Sequence, residues 1–174
     1  MLKDLVSFWV TFDTTLVGTV PNTLLQGEFP RLYQVVLQDN GLVGTIPEVG
    51  AGVSNLSYLH YNSNALTGTV PWPSIIKHLN SSLVQFRFNT NYLTGSLPSN
   101  IGAMTKLSDM IMALNLLTGS LPSSFGSLEN LRVSGTSIKI HRSKEKGSLK
   151  IAVSAFLFTL FSFLATRVIH PVAL

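Results

Sequence analysis

A six-residue block recurs five times along the chain and constrains the fold more than any other feature. The copies are LVGTVP at 16–21, LVGTIP at 42–47, LTGTVP at 66–71, and LTGSLP at both 93–98 and 117–122. Their closing prolines are 26, 24, 27 and 24 residues apart. A near-constant period of this size predicts a repeat architecture in which the extra residues fall in loops.

The residues before each block repeat as well. A ladder of apolar residues followed by Asn precedes the blocks, and the unit reads L-x-x-L-x-x-L-x-L-x-x-N-x-L-x-G-x-[IVL]-P. Leucines three positions apart predict a tight helical turn, and the L-x-L pair predicts a strand with both leucines on one side. A single unit cannot bury its own ladder, so neighbouring units must stack against one another.

Three residue types at fixed positions are predicted to be structural. We expect Asn to bond backbone groups that a sharp turn leaves unpaired, Gly to permit a bend, and Pro to end the hydrogen bonding of each unit. These positions are Asn40, Asn64, Asn91, Asn115, Gly18, Gly44, Gly68, Gly95, Gly119, Pro21, Pro47, Pro71, Pro98 and Pro122.

With five such units, the chain resembles the plant-type leucine-rich repeat family and its receptor-like members over residues 2–133. The resemblance implies an α/β repeat solenoid, a right-handed horseshoe with a parallel β-sheet on its concave face. The residues themselves predict a C-terminal hydrophobic helix after it. We expect about 5.5 repeats over residues 1–140. Met1 already lies inside a repeat, which we interpret as a truncated N-terminal end.

The concave face is the predicted binding surface. Around each L-x-L pair, the intervening side chains point away from the core and line the sheet, with a central column of Trp9, Val36, His60, Arg87 and Ile111. The resemblance implies that a protein or peptide ligand binds there. The candidate ligand-binding residues are Trp9, Val36, Gln38, Tyr58, His60, Asn62, Gln85, Arg87, Asn89 and Asp109. The alternative is that these residues are simply the solvated face of the strands.

The C-terminal segment departs from the repeat. Residues 141–150 are predicted to be a basic linker, and residues 151–170 a transmembrane or anchor helix, since 151–166 contain no charged residue. A capping helix on the last repeat and a removed lipid-anchor signal are the alternatives. We expect the repeats at the plasma membrane or cell surface. Because basic residues precede the apolar run, a tail-anchored protein with cytoplasmic repeats is the alternative.

Catalytic and nucleic-acid functions find no support in the sequence. The four histidines form no catalytic or metal motif, and the absence of cysteine excludes thiol chemistry. Basic and acidic residues balance within the repeats, so no basic stripe indicates nucleic-acid binding. We therefore predict a non-catalytic recognition module without a cofactor.

Two other functions stay open. One is a structural or spacer role at the surface. The other is ice binding, because the repeated blocks stack hydroxyl groups in two columns. Those columns are Thr19, Thr45, Thr69, Ser96 and Ser120, and beside them Thr67, Thr94 and Thr118.

Overall fold

The computed structural model describes residues 4–10, 16–131, 139–140 and 151–152. They fall into two compact units, Met1–Arg132 and Val133–Leu174. The strands of the first unit are β1 (Ser7–Trp9), β2 (Val17–Thr19), β3 (Gln34–Val36), β4 (Gly41–Gly44), β5 (Tyr58–His60), β6 (Ala65–Leu66), β7 (Gln85–Arg87) and β8 (Asp109–Ile111). Its helices are α1 (Trp72–Leu79) and the 3₁₀ helices Asn22–Leu25, Ala51–Val53, Ile101–Ala103 and Ser123–Ser127.

One parallel sheet contains a strand from every coil of the stack. Its order is β1-β3-β5-β7-β8, and each three-residue strand is centred on the first apolar residue of the L-x-L pair of its unit. The register places Trp9, Val36, His60, Arg87 and Ile111 side by side. The predicted parallel sheet and its central column are therefore confirmed.

The repeated six-residue blocks build a second parallel ladder. Strands β2, β4 and β6 pair in that order, and the backbone N–H groups of Thr94 and Thr118 continue the ladder by donating to Gly68 and Gly95 at 2.8 Å. The glycines of the blocks have positive φ, which a residue with a Cβ rarely adopts. A Cβ on Gly44 would also lie 2.9 Å from the Thr19 methyl group, so the coils approach closely there.

The apolar ladders fill the space between the two ladders of strands. Leu59 and Phe86 point inward from β5 and β7 and are fully buried. The longest unit of the repeat contains α1, whose Trp72, Ile75 and Leu79 recur at helical spacing and are buried. The Trp72 ring packs edge-on against the ring of Phe86, with centroids 5.7 Å apart.

The repeated asparagines join consecutive coils. Asn91 is buried, and its Nδ2 lies 2.9 Å from the carbonyl oxygen of Tyr61 on the previous coil and 3.2 Å from that of Phe88 on its own coil. Its Oδ1 accepts from the backbone N–H of Leu66 at 3.0 Å. Asn64 and Asn115 bond in the same way. The predicted role of asparagine in satisfying turn backbone is therefore observed.

Each asparagine follows a residue with left-handed backbone geometry. Asp39, Ser63, Thr90 and Leu114 have φ between 56° and 57°. Leucine is costly in this conformation, by roughly 1–2 kcal/mol. The Leu114 side chain is 57% exposed, so burial within the described stack does little to offset this cost.

The second unit contains a two-stranded antiparallel sheet, in which β9 (Lys139–Ile140) pairs with β10 (Ile151–Ala152). Ile151 and Ala152, the first residues of the predicted hydrophobic helix, therefore lie in a strand. Isoleucine is β-branched and is enriched in strands. The rest of the predicted 151–170 anchor and the predicted 141–150 linker lie outside the described residues. Within the residues that are described, no helix is long and apolar enough to cross a bilayer.

We expect Asn91→Ala to lower the free energy of unfolding by about 2–4 kcal/mol, because buried N–H and C=O groups lose their partner. Urea denaturation followed by circular dichroism measures the change. Asn100→Ala is the matched control, since Asn100 is exposed and makes no side-chain capping bond. Equal stability of the two variants would contradict this role of the buried asparagine.

Candidate ligand-binding surface

The concave sheet presents two columns of outward side chains. Ser7, Gln34, Tyr58, Gln85 and Asp109 form one column, and Trp9, Val36, His60, Arg87 and Ile111 form the other. The columns alternate with inward residues such as Leu59 because successive side chains of a strand point to opposite faces. Of the ten candidate residues, the register thus brings seven together in two lines.

Exposure varies along the central column. Trp9 is 62% exposed, whereas Val36 and His60 are only 8% and 9% exposed. The open part of the column therefore lies at its first strand, and the middle is covered by neighbouring side chains. An alternating pattern predicts which way a side chain points, but it does not predict how far its neighbours cover it.

The other three candidates, Gln38, Asn62 and Asn89, lie just after the strands. The carbonyl oxygens of Gln38 and Asn62 lie 3.0 and 3.3 Å from the Nδ2 atoms of Asn40 and Asn64. Their backbone therefore belongs to the asparagine turns. Asn62 Oδ1 is buried without a hydrogen-bond partner among the described residues.

A polar network crosses three strands at the C-terminal half of the face. His60 Nε2 lies 3.1 Å from Gln85 Oε1. Arg87 Nε donates to Asp109 Oδ2 at 2.8 Å, and Arg87 Nη2 donates to the same oxygen. The guanidinium is held in place by this ion pair, so Arg87 meets a ligand with little further loss of side-chain freedom. Asp109 Oδ1 is buried and has no hydrogen-bond partner among the described residues.

The surroundings of His60 favour its neutral form. Burial lowers the pKa of His60 below its ordinary value of 6.5, and the nearby charge of Arg87 lowers it further. Since Nε2 faces the amide oxygen of Gln85, the neutral imidazole donates from Nε2, and Nδ1 is left as an acceptor.

An aromatic cluster of Tyr33, Tyr58 and His60 lies beside the polar network. The ring of Tyr33 packs edge-on against that of Tyr58 with centroids 5.2 Å apart, and Tyr58 packs edge-on against His60 at 6.4 Å. Tyr33 is exposed and was not among the predicted site residues. Its position, directly before a strand, recurs in every unit, and that period was the signal that could have found it.

The arrangement offers hydrogen bonding, aromatic contact and one neutralised ion pair. The described residues contain no group of three His, Asp or Glu side chains that could hold a metal ion. These features suit reversible recognition of another molecule rather than bond-making chemistry.

We expect the free energy of unfolding to fall as the pH drops from about 7 to about 5.5. The pKa of His60 is lower in the folded protein, so the unfolded state binds more protons in this range and gains stability as the pH falls. Thermal denaturation across the range measures the slope. His60→Gln should flatten it, whereas Lys77→Gln on α1, which removes no imidazole, should not. An unchanged slope in His60→Gln would contradict the assignment.

No protein-family model matches the sequence. Over 68 residues the chain is 37% identical to the LRR receptor-like serine/threonine-protein kinase GSO2 of Arabidopsis thaliana. The matched residues make up 38% of this chain and 5% of that protein. The solved structure of the plant peptide hormone receptor RGFR1 in complex with RGF2 matches at a TM-score of 0.59 and 31% identity, over 67% of this chain and 18% of that chain.

The LRR ectodomain of the receptor kinase SOBIR1 from Arabidopsis thaliana matches at a TM-score of 0.60 and 25% identity, over 70% of this chain and 64% of that one. The chain therefore spans less than two thirds of each of these proteins. A plant ice-binding protein shares the fold at a TM-score of 0.50 and 23% identity.

Proposed function

The chain belongs to the plant-type leucine-rich repeat family, and on that premise we propose that its concave face binds a peptide or protein segment without catalysis. The observation that carries the proposal is the alignment of two outward columns across five strands. A ligand that lies across the strands meets a new side chain at each step of about 4.8 Å.

The two ends of the face suit different parts of such a ligand. Exposed Trp9 provides a large rigid apolar surface, the type of residue that dominates binding energy at interfaces. At the other end, the partly exposed guanidinium of Arg87 offers hydrogen-bond donors. A peptide backbone supplies the complementary carbonyl groups. Support also comes from the likeness to the plant peptide hormone receptor RGFR1, whose structure was solved in complex with RGF2.

We expect Trp9→Ala and Arg87→Gln each to weaken binding of a linear peptide selected on the intact protein from a displayed random library. A loss of about 30-fold corresponds to the ~2 kcal/mol of a hot-spot residue. Fluorescence anisotropy with the selected peptide measures it. Thr67→Ala, on the second ladder, is the control. The proposal fails if Thr67→Ala loses binding while the concave variants keep it.

We propose further that the protein acts at the cell surface and is held to the plasma membrane through residues 151–170. The support is the uncharged run at 151–166 and the likeness to a receptor kinase ectodomain. With a tag on each end, the repeats should pellet with membranes and be digested by protease added outside intact cells. Digestion only after permeabilisation would place the repeats in the cytoplasm, and recovery in the soluble fraction would refute the anchor.

One observation favours ice binding as a second candidate. Thr19, Thr45 and Thr69 of one column and Thr67 and Thr94 of the other are exposed on the second ladder. However, the Thr67 and Thr94 hydroxyls donate to the carbonyl oxygens of Gly44 and Gly68 at 3.2 Å, which engages the hydroxyls of that column. Thermal hysteresis in solution is the measurement that separates ice binding from peptide recognition. A spacer would show neither property.

A further inference from the structure

We infer that a groove along the N-terminal ends of the concave strands is a separate site for an extended acidic peptide. The groove has a volume of about 660 Å³ and crosses several coils. It lies beside the concave face, and its lining residues are distinct from the ten candidate residues of that face. The inference therefore does not rest on the function proposed for the concave face.

Two periodic columns build the groove. Arg31, Asn55, Ser82 and Lys106 each lie three residues before the first residue of a concave strand, and Val6, Tyr33, Ser57 and Val84 each lie directly before one. The backbone pairing between coils keeps both columns in line, as when the N–H of Ser57 donates to the carbonyl oxygen of Tyr33 at 2.8 Å. The groove is thus as regular as the sheet beside it.

The charge of the groove is positive. Arg31 and Lys106 line it, and no Asp or Glu does. Arg31 forms an ion pair with Asp4, whose Oδ1 lies 3.2 Å from Arg31 Nη1, and both side chains are exposed. Lys106 forms no such ion pair among the described residues. By contrast, Arg87 on the concave face is already neutralised by Asp109. The groove is therefore the better site for a carboxylate.

The spacing of the two cations sets the spacing of the carboxylates. Arg31 and Lys106 lie three coils apart, which is about 14 Å at about 4.8 Å per strand. An extended peptide rises about 3.4 Å per residue, so acidic side chains four positions apart reach both cations.

The uncharged lining of the groove favours a peptide. Ser81 is an exposed residue of the lining, so its hydroxyl is available to a backbone carbonyl of the peptide. Val6 and Tyr33 are exposed apolar surfaces that suit aliphatic side chains. A ligand with carboxylates, backbone amides and apolar groups satisfies all three features, whereas an acidic oligosaccharide leaves the apolar surfaces without partners.

The probe is fluorescent N-acetyl-Glu-Val-Ser-Val-Glu-amide, titrated into the full chain at low ionic strength. Lys106→Gln and Arg31→Gln should each weaken binding about two- to fivefold, the range for an exposed charge pair. Asp4→Asn should tighten binding, because it frees Arg31. Lys77→Gln, an exposed lysine on α1, should have no effect. Binding should weaken as salt is added.

Three outcomes would overturn the inference. The first is that the same peptide with Gln in place of both Glu residues binds as tightly as the original peptide. The second is that Lys106→Gln, like Lys77→Gln, leaves binding unchanged. A trigalacturonate probe that binds more tightly than the peptide would assign the groove to acidic sugars instead. Arg87→Gln should leave binding of this probe unchanged, which keeps the test independent of the concave face.

Discussion

The bonds from buried asparagine side chains to the backbone of two coils are the interaction on which the rest of the structure depends. A turn after each strand leaves carbonyl and N–H groups that cannot pair within the coil, and a buried unpaired group is costly. Asn64, Asn91 and Asn115 satisfy these groups and at the same time join one coil to the one before it. The same side chain therefore closes a turn and fixes the register of neighbouring coils.

The register between coils places equivalent residues of the repeat side by side and so builds continuous surfaces. Because the strands stay aligned, side chains at equivalent positions form lines on the concave face and along its edge. Contacts such as the Arg87–Asp109 ion pair and the Tyr33–Tyr58 ring pair are contacts between coils. They exist only because units 22 to 25 residues apart in sequence are held side by side.

Much of the fold could be predicted from the sequence, because period, strand alternation and turn chemistry are local. The strands fall on the L-x-L pairs, and Asn91 bonds as expected. Details between coils could not be predicted. The covering of Val36 and His60 depends on which neighbouring side chains fold over them. The groove was missed because the residues before each strand read as parts of a helical turn rather than as two lined columns.

The left-handed turn at Leu114 makes its coil a weak point of the stack under a pulling force. The equivalent turn at Asp39 holds a residue type that tolerates this conformation, whereas Leu114 is an exposed leucine for which the conformation costs roughly 1–2 kcal/mol. In a linear array, stability is a sum over units and the interfaces between neighbours. A pulling force that reaches this coil therefore meets a weaker link than at the coil of Asp39, so the array opens here before it opens there.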